Sequence, residues 1–392
     1  MTPAAVSLLG YVFWLLVARI YTPTQVGLAT ALISSAGLVG TFSKLGLDFS
    51  LIRYLPMQKD KKGTLDSSFT IVALFCLAVS LVFIVGLRFW SPKLSFVQTD
   101  PVLLAAFLVF TPLYSLTMLQ HAAFVGLRSA KYSLFENALM GLAKLPLPLV
   151  FLSVGLTGIV LSWGLSIVVG AGVALAVFLP RLVPGYSPRP TIHSDVVRSL
   201  ARFSAGNYVA DIADSLPGLL FPLIIVNVLT PDKNAYFFMA WMVSGVLSNI
   251  PLGTNTSLLA EGSYEPQDQR TNVVRTLKFT FALLIPSVII VLLLAGPVLR
   301  ILGPEYSRNA PQLLRLLALS SLPLAVVRLY VTRQRIRSKL APVIIIYVVG
   351  AASVLTLSYL LLPVMGLNGI GVAWLTTQTA SAFVAGWLLI RS

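Results

Sequence analysis

The residues that could do chemistry in this chain are a few ionisable side chains inside long apolar segments. Lys144 is the deepest basic residue: at 1.5 Å per helical residue, it lies about 15 Å into its segment. Pro146 and Pro148 follow closely and can break a helix at that point. A charge at such depth is costly and usually faces a cavity. Lys144 is therefore a candidate to bind an anionic group. The alternative is an ion pair with Glu136 or with an aspartate elsewhere.

A polar face on the apolar segment 204–228 is the second candidate site. Its residues follow each other at steps of 3, 4, 3 and 4, which places them on one side of a helix: Ser204, Asn207, Asp211, Asp214 and Gly218. Two carboxylates three residues apart repel unless one is protonated or a cation lies between them. Asp211 and Asp214 are therefore candidates for coupling to H⁺ or Na⁺. The alternative is an ion pair with Lys144 or a helix end near water.

Three more charged residues crowd one end of the segment 25–50. Lys44 and Asp48, at i and i+4, can neutralise each other on one helix face. Lys44, Arg53 and, in a later segment, Arg328 are candidates to bind an anionic ligand, and Asp48 is a further candidate for cation coupling. The alternative for Arg53 and Arg328 is that the long side chain extends to a membrane interface.

The composition excludes a water-soluble protein. Of the 392 residues, 57% are hydrophobic and 10% are charged, whereas a soluble domain has about a quarter of its residues charged. Apolar stretches of about twenty residues recur, each long enough to cross about 30 Å of hydrocarbon as a helix. The net charge of +15 comes from Lys and Arg mainly between these stretches, where basic residues meet lipid headgroups and fix orientation. Nucleic acid is therefore not expected as a partner.

The sequence offers little to a metal, a cofactor or a catalytic centre. Cys76 is the single cysteine, and His121 and His193 lie far apart. A disulfide within the chain is therefore impossible, and no zinc-binding spacing exists. No GxxxxGK[ST] phosphate loop is present, and no loop is long enough for a folded soluble domain. We predict no metal and no cofactor, and we expect the chain not to be an enzyme.

The apolar segments predict an all-α polytopic membrane protein of about twelve spans. They lie near 2–18, 25–50, 69–87, 102–125, 134–154, 157–179, 204–228, 236–259, 279–298, 312–331, 341–362 and 367–390. We predict two six-helix bundles, 1–180 and 204–392, joined by a cytoplasmic linker, 181–203. With the N-terminus inside, the 28 Lys and Arg residues divide into 18 on the inner side, 7 on the outer side and 3 within spans. Because basic residues are in excess on the cytoplasmic side, both termini are predicted to be cytoplasmic.

The two halves repeat three short motifs in the same order, at separations of 208, 209 and 211 residues. The pairs are Tyr21-Thr22-Pro23 with Leu229-Thr230-Pro231, Arg128-Ser129 with Arg337-Ser338, and 155-GLTGIVLSW-163 with 366-GLNGIGVAW-374. The shared order favours duplication over chance. Parallel repeats predict a substrate site between the halves and alternating access by rocking. In this register Met1 aligns with Val209, so either the first helix is short or the chain starts upstream of Met1.

The stretch 14-WLLVARIYTPTQVGLATALISSAGLVGTFSKLGLDFSLIRYLP-56 resembles the opening of bacterial and archaeal polysaccharide exporters. These are oligosaccharide flippases, including those for O-antigen units, in the superfamily that also contains the multidrug and toxin extruders. The shared elements are Ala18-Arg19, Tyr21-Thr22-Pro23, Gly27, Gly46-Leu47-Asp48 and Ile52-Arg53-Tyr54-Leu55-Pro56. The resemblance implies two six-helix bundles around a central cavity in the cytoplasmic membrane. It also implies that a polyprenyl-pyrophosphate-linked oligosaccharide is flipped to the outer leaflet.

The same resemblance suggests ligands for the candidate residues. Lys144 would bind the lipid pyrophosphate, with Arg328, Lys44 and Arg53 as further contacts. Asn255 belongs to a polar stretch of the segment 236–259, which suits a wall in contact with sugar. The implied partners are the lipid-linked oligosaccharide, H⁺ or Na⁺, membrane lipids, and a polysaccharide polymerase and glycosyltransferases.

Three other functions compete with this one. An organic-cation or multidrug antiporter of the same superfamily needs an acidic, aromatic cavity, which Lys144 disfavours and which Asp211 and Asp214 favour. A membrane enzyme such as a polymerase or ligase needs a long extracytoplasmic loop with catalytic groups, whereas the outer segments here are short. A non-transporting membrane scaffold is the third alternative.

Overall fold

The computed structural model describes residues 3–192, 194–264, 269–337 and 339–391, without the side chains of residues 3–5, 194–205, 252, 254–264, 269–274 and 390. Within these ranges all regular secondary structure is helical, which confirms the predicted fold class. Twelve long helices lie in the described ranges, one at each predicted apolar segment. They are α1 Pro3–Ile20, α2 Pro23–Ser43, α3 Lys61–Val85, α4 Pro101–Gly126, α5 Lys131–Lys144, α6 Leu156–Val173, α7 Ser194–Val228, α8 Pro231–Tyr264, α9 Gln269–Leu302, α10 Pro311–Ile336, α11 Leu340–Met365 and α12 Leu367–Arg391.

Length and composition suit most of these helices to a membrane. In the described part of the chain, eight are long and apolar enough to cross it: α2, α3, α4, α6, α7, α9, α10 and α11. Many of their exposed side chains are themselves apolar, as at Val85, Leu293 and Val364. Apolar groups on the outside of a helix bundle are stable in contact with lipid.

Several shorter elements connect the long helices. Five are short α-helices, Leu47–Tyr54, Leu87–Trp90, Leu147–Val150, Leu179–Leu182 and Pro304–Asn309. Three are 3₁₀ turns, Leu55–Met57, Pro92–Gln98 and Leu152–Val154, and Ala174–Phe178 is a π-helical turn. The predicted segment 134–154 is interrupted after Lys144, where Pro146 and Pro148 were expected to break the helix.

The prediction of one continuous segment at 25–50 is wrong. Helix α2 ends at Ser43, and Leu45 and Gly46 take left-handed backbone conformations with φ of 53° and 71°. A second helix, Leu47–Tyr54, then begins after Gly46. The apolar character of Leu45, Gly46 and Leu47 hides this turn from a reading based on hydrophobicity, because the break is a property of the backbone.

The chain divides into two compact units, Met1–Ile212 (unit 1) and Ala213–Ser392 (unit 2), with the division inside α7. The core of unit 1 includes Leu51, Leu65 and Phe124. One core cluster of unit 2 includes Leu284 and Val288. The predicted linker 181–203 begins in unit 1, where the Arg189 backbone N–H donates to Asp66 at 3.2 Å. Nearby, burial and then the charge of Asp66 raise the pKa of Tyr186.

The repeated motifs occupy matching places in the two units. Helix α2 begins at Pro23 and α8 begins at Pro231. Gly155, before α6, has φ 57° and ψ −130°, and Gly366, before α12, has φ 58° and ψ −145°. L-residues with side chains rarely adopt this conformation, so the glycine is required at both turns. The shared geometry supports the predicted duplication.

The second glycine of each motif allows close backbone packing. A Cβ atom on Gly158 would lie 2.3 Å from the Phe151 carbonyl oxygen, and one on Gly369 would lie 2.6 Å from that of Leu361. In unit 1 the Tyr21 hydroxyl also donates to the Pro148 carbonyl at 2.8 Å. The Tyr-Thr-Pro and GLxG motifs of unit 1 are therefore structural neighbours at one end of the bundle.

Candidate functional site

Lys144 lies at the end of α5 and lines a cavity of about 380 Å³ in unit 1. Residues of α1, α5 and α6 form this Lys144 cavity: Val6, Ser7, Gly10, Leu134, Asn137, Met140, Gly141, Lys144, Trp163 and Ser166. Lys144 Nζ lies 5.1 Å from the centre of the Phe13 ring, within the range of a cation–π contact. Most of the lining is apolar or neutral, so the cation sets the charge of this cavity.

The predicted alternative, an ion pair that neutralises Lys144, is not found in the described part of the chain. There, no carboxylate oxygen lies within 4.0 Å of Lys144 Nζ. Glu136, the expected partner, lies on the same helix and has its Oε2 atom 3.3 Å from His121 Nε2. Asp211 and Asp214, also proposed as partners, contact other cations. Lys144 is therefore available to an anionic ligand.

Lys44 is held between two carboxylates in unit 1. Its Nζ atom lies 2.8 Å from Asp48 Oδ2 and 2.9 Å from Asp211 Oδ2. The expected i, i+4 contact with Asp48 is confirmed, although Lys44 lies in the turn after α2 and Asp48 in the next helix. Beside them, the Tyr208 hydroxyl donates to the Phe42 carbonyl. This Lys44 cluster carries two acids and one base, and its net charge is negative when all three are ionised.

Asp214 has its own basic partner in unit 2. Its Oδ2 atom accepts a hydrogen bond from Arg328 NH1 at 2.7 Å, and the same nitrogen donates to the Tyr347 hydroxyl at 2.9 Å. The interpretation of Arg328 as a side chain that reaches only for the interface is therefore wrong. Asp211 and Asp214 do not share one cation but bind two different basic side chains, which relieves the repulsion that suggested a coupling ion.

The two remaining candidates contribute less to a site. Arg53 is exposed, with its guanidinium 5.6 Å from the centre of the Tyr54 ring. Asn255 lies in α8, and its side chain, like that of Ser204 in α7, is outside the described part of the structure. The roles assigned to Asn255, to Arg53 and to the three aspartates stay predictions.

Sequence reasoning missed a buried acid–imidazole pair next to the Lys144 cavity. Glu136 on α5 is fully buried, and the ring of His121 on α4 is its neighbour. Asn137, which lines the cavity, places its amide nitrogen 3.4 Å from the same His121 nitrogen. The available signal was that two consecutive apolar segments, 102–125 and 134–154, carry a histidine at 121 and a glutamate at 136.

Unit 2 has a larger cavity, of about 640 Å³, between α10, α11 and α12. Its walls are apolar side chains and small hydroxyl residues, and we call it the α11–α12 groove: Tyr330, Pro342, Ile345, Ile346, Val349, Gly350, Ser353, Leu357, Thr376, Thr377, Ala380, Ser381, Val384 and Leu388. Among its described lining residues, the Tyr330 phenol is the only ionisable group.

Comparison with known proteins gives a consistent result. The sequence model of a family described as polysaccharide biosynthesis protein matches residues 4–220. The whole chain aligns, at 24% identity, with 94% of a Shigella flexneri protein named "Putative O-antigen transporter".

Two solved structures have the same fold. The lipid II flippase MurJ, in an inward closed conformation, has a TM-score of 0.79 at 12% identity, over 99% of this chain and 86% of that one. An inward-facing multidrug resistance transporter of the MATE family, in the MOP superfamily, has a TM-score of 0.77 at 14% identity, over 100% of this chain and 94% of that one. With the apolar helices, these likenesses show an all-α, multi-pass membrane protein.

Proposed function

Since this chain belongs to the polysaccharide biosynthesis protein family, we propose that it moves a polyprenyl-pyrophosphate-linked oligosaccharide across the cytoplasmic membrane by alternating access. The observation that carries the proposal is the position of Lys144 on the wall of a cavity. Among the described residues, no carboxylate oxygen lies within 4.0 Å of the Lys144 amino group. A charge removed from water is stable only when a partner compensates it. A pyrophosphate, which must itself be compensated during transfer, would supply that partner.

The charges elsewhere favour an anionic substrate over an organic cation. A cation-binding cavity needs a carboxylate on its wall, and the described linings of the Lys144 cavity and of the α11–α12 groove include none. Asp48, Asp211 and Asp214 each contact a basic side chain in this structure. Glu136 is fully buried behind His121. The Lys144 cavity falls in the volume range of about 300–1,000 Å³ that is usual for small-ligand sites. The multidrug antiporter is therefore the weaker candidate.

The finer parts of the proposal follow from the sequence. Both termini would lie in the cytoplasm, and a polymerase and glycosyltransferases would act on the same oligosaccharide. Coupling to H⁺ or Na⁺ at Asp48, Asp211 and Asp214 remains part of the proposal. In this structure a coupling cation would have to displace Lys44 or Arg328 from its carboxylate, so coupling there would involve an exchange of ion pairs.

Replacement of Lys144 is the direct test. In a host strain deleted for this protein, Lys144→Ala should reduce surface polysaccharide at least about tenfold, because an uncompensated pyrophosphate costs several kcal/mol. Lys144→Arg should retain part of the activity, since the charge survives with a different reach. Lys131→Ala, at the exposed start of the same helix, is the matched control and should be nearly neutral. Immunoblots would normalise each variant to its amount in the membrane.

A binding measurement separates the two transporter classes. Purified protein in nanodiscs should bind farnesyl pyrophosphate, a short polyprenyl pyrophosphate, and Lys144→Ala should bind it at least tenfold more weakly. The organic cation tetraphenylphosphonium should not compete. Full activity of Lys144→Ala at normal protein levels, or competition by the cation, would overturn the proposed function.

A further inference from the structure

Glu136 and His121 form a buried pair that the proposed transport of an anion does not use. The Glu136 side chain has no exposed surface, and its Oε2 atom lies 3.3 Å from His121 Nε2. Neither of its carboxylate oxygens has a hydrogen-bond partner among the described residues, so the approach to His121 is a close contact and not a formed hydrogen bond. The side chain of His121 is 31% exposed, so one member of the pair is reachable from a less buried space.

Helix α6 packs closely against α5 beside Glu136. A Cβ atom on Gly170 would lie 2.3 Å from Met140 Cγ and 3.5 Å from Glu136 Cγ. The glycine therefore lets α6 cover the acid side chain closely. A carboxylate buried in this way is unstable in its charged form unless a cation pairs with it, and otherwise it binds a proton.

Few other ionisable groups face the pair from the elements packed against α5. Helix α4 carries His121 and Tyr114, and α1 carries Tyr11 and Arg19. Helix α6, the short helix Leu147–Val150 and the π-helical turn Ala174–Phe178 carry no ionisable residue. On α5 itself the others are Lys131, Tyr132 and Lys144. His121 is thus the group positioned to exchange a proton with Glu136.

One proton can lie on either side of this contact. It can be on the imidazole, which then donates to the carboxylate, or on the acid, which then donates to the neutral ring. The Asn137 amide, 3.4 Å from the same ring nitrogen, contacts the pair and lines the Lys144 cavity. Glu136 is therefore the sequence neighbour of Asn137, a residue on the wall of the proposed ligand site.

We propose that Glu136 and His121 form a proton-binding site that controls the charge of the Lys144 cavity. The inference rests on the proposed function, because the controlled ligand is the anion at Lys144. Glu136 and Lys144 are eight residues apart on one helix, about 12 Å. Loss of the proton adds a negative charge at that distance and weakens anion binding. Gain of the proton strengthens anion binding by about tenfold, for two unit charges at an effective dielectric constant of about 20.

The proton site can be tested without any ligand. The chain has only two histidines, so protein labelled with ¹⁵N-histidine has His121 and His193 as its only labelled side chains. The pH dependence of the His121 signals should differ clearly between the wild type and Glu136→Gln, because glutamine cannot hold the proton. Glu305→Gln, an exposed glutamate in unit 2, is the matched control and should give the wild-type curve. An identical His121 curve in Glu136→Gln would overturn the proton site.

The link to the anion needs a second measurement. The affinity of nanodisc protein for farnesyl pyrophosphate would be measured from pH 5.5 to 8.5 (about the range in which histidine titrates) in the wild type and in Glu136→Gln. Protonation of the probe itself cancels in the ratio of the two affinities. That ratio should change about tenfold over the range, and a constant ratio would overturn the link. If neither protein bound the probe, the proposed function and the link would both fail, while the histidine spectra would still decide the proton site.

Discussion

The two cavities share matching helices, α5 and α6 in unit 1 and α11 and α12 in unit 2, but differ in their third wall, α1 against α10, and in charge. The Lys144 cavity of unit 1 includes Trp163 and Ser166, and the repeat register pairs these residues with Trp374 and with Thr377 in the α11–α12 groove. At separations of 209 to 211 residues, Lys144 corresponds to 353–355, which are Ser, Val and Leu. The two units share the helical frame and its aromatic residue, while at this position the lysine is present in unit 1 only.

The helical scaffold and the candidate function are therefore specified by different residues. The frame depends on the motifs that recur, above all the glycines before α6 and α12, which have nearly the same φ and ψ. The candidate function depends on residues that do not recur, such as Lys144 and Glu136. Three comparisons of matched substitutions in the two units test this distinction.

The largest effect is expected at the second glycine of each GLxG motif. Gly158→Ala and Gly369→Ala would each place a Cβ atom against a backbone carbonyl, at 2.3 Å and 2.6 Å. The backbone must move in both cases, at a cost near the upper end of about 1–3 kcal/mol. Thermal unfolding of the purified variants in detergent should show similar large losses in both units. A neutral result at either glycine would show that the motif does not have the same structural role in the two repeats.

A smaller and unequal effect is expected at the paired aspartates. Asp214→Asn removes the carboxylate that contacts Arg328, whereas Asp211→Asn leaves Lys44 its contact with Asp48. A partly buried arginine without its acid should cost about 1–3 kcal/mol, and the Asp211 variant less than about 1 kcal/mol. Chemical unfolding would measure both. Equal losses would mean that Asp48 does not compensate Lys44.

The same aspartate variants test cation coupling. In the double variant, Asp211→Asn with Asp214→Asn, transport should no longer depend on the pH or Na⁺ gradient if these residues bind the coupling ion. Transport into vesicles, with and without an imposed gradient, measures this dependence. A gradient dependence equal to that of the wild type would assign coupling to other residues.

The smallest effect is expected at the helix starts that follow the Tyr-Thr-Pro and Leu-Thr-Pro motifs. Thr22 accepts a hydrogen bond from the Gln25 backbone N–H, and the Gln25 side chain accepts one from Thr22, which makes a complete capping box. In unit 2 the position of Gln25 is taken by Lys233, which has no acceptor atom. Thr22→Ala should therefore cost about 1 kcal/mol, and Thr230→Ala measurably less. Equal costs in thermal unfolding would contradict this difference between the halves.

The sequence predicted the frame well, because apolar length and proline position are local signals. All twelve apolar segments correspond to long helices, and the break after Lys144 falls where Pro146 and Pro148 placed it. The turn at Leu45 and Gly46 was missed, since positive φ at a leucine leaves no trace in hydrophobicity. The failure there concerned backbone geometry, which composition does not report.

The candidate site was predictable only in part. The depth of Lys144 could be read from the sequence, but the absence of an acid partner among the described residues could not, because it depends on packing. Glu136 on the same helix lies next to His121, and Asp211 and Asp214 contact other cations. The contact between Lys44 and Asp211 joins residues 167 positions apart, and no local rule predicts it. His121 and Glu136 belong to different spans, so their contact also depends on tertiary packing.

The left-handed turn at Leu45 and Gly46 also limits how the length of this segment can vary. Each residue advances a helix by about 100°, so one inserted or deleted residue would rotate Leu47–Tyr54 by that angle and turn Asp48 away from Lys44. Two successive residues with positive φ fix both the direction and the phase of the second helix. Homologous chains that retain this ion pair should therefore show substitutions at 45–47 but no insertions or deletions between Lys44 and Asp48.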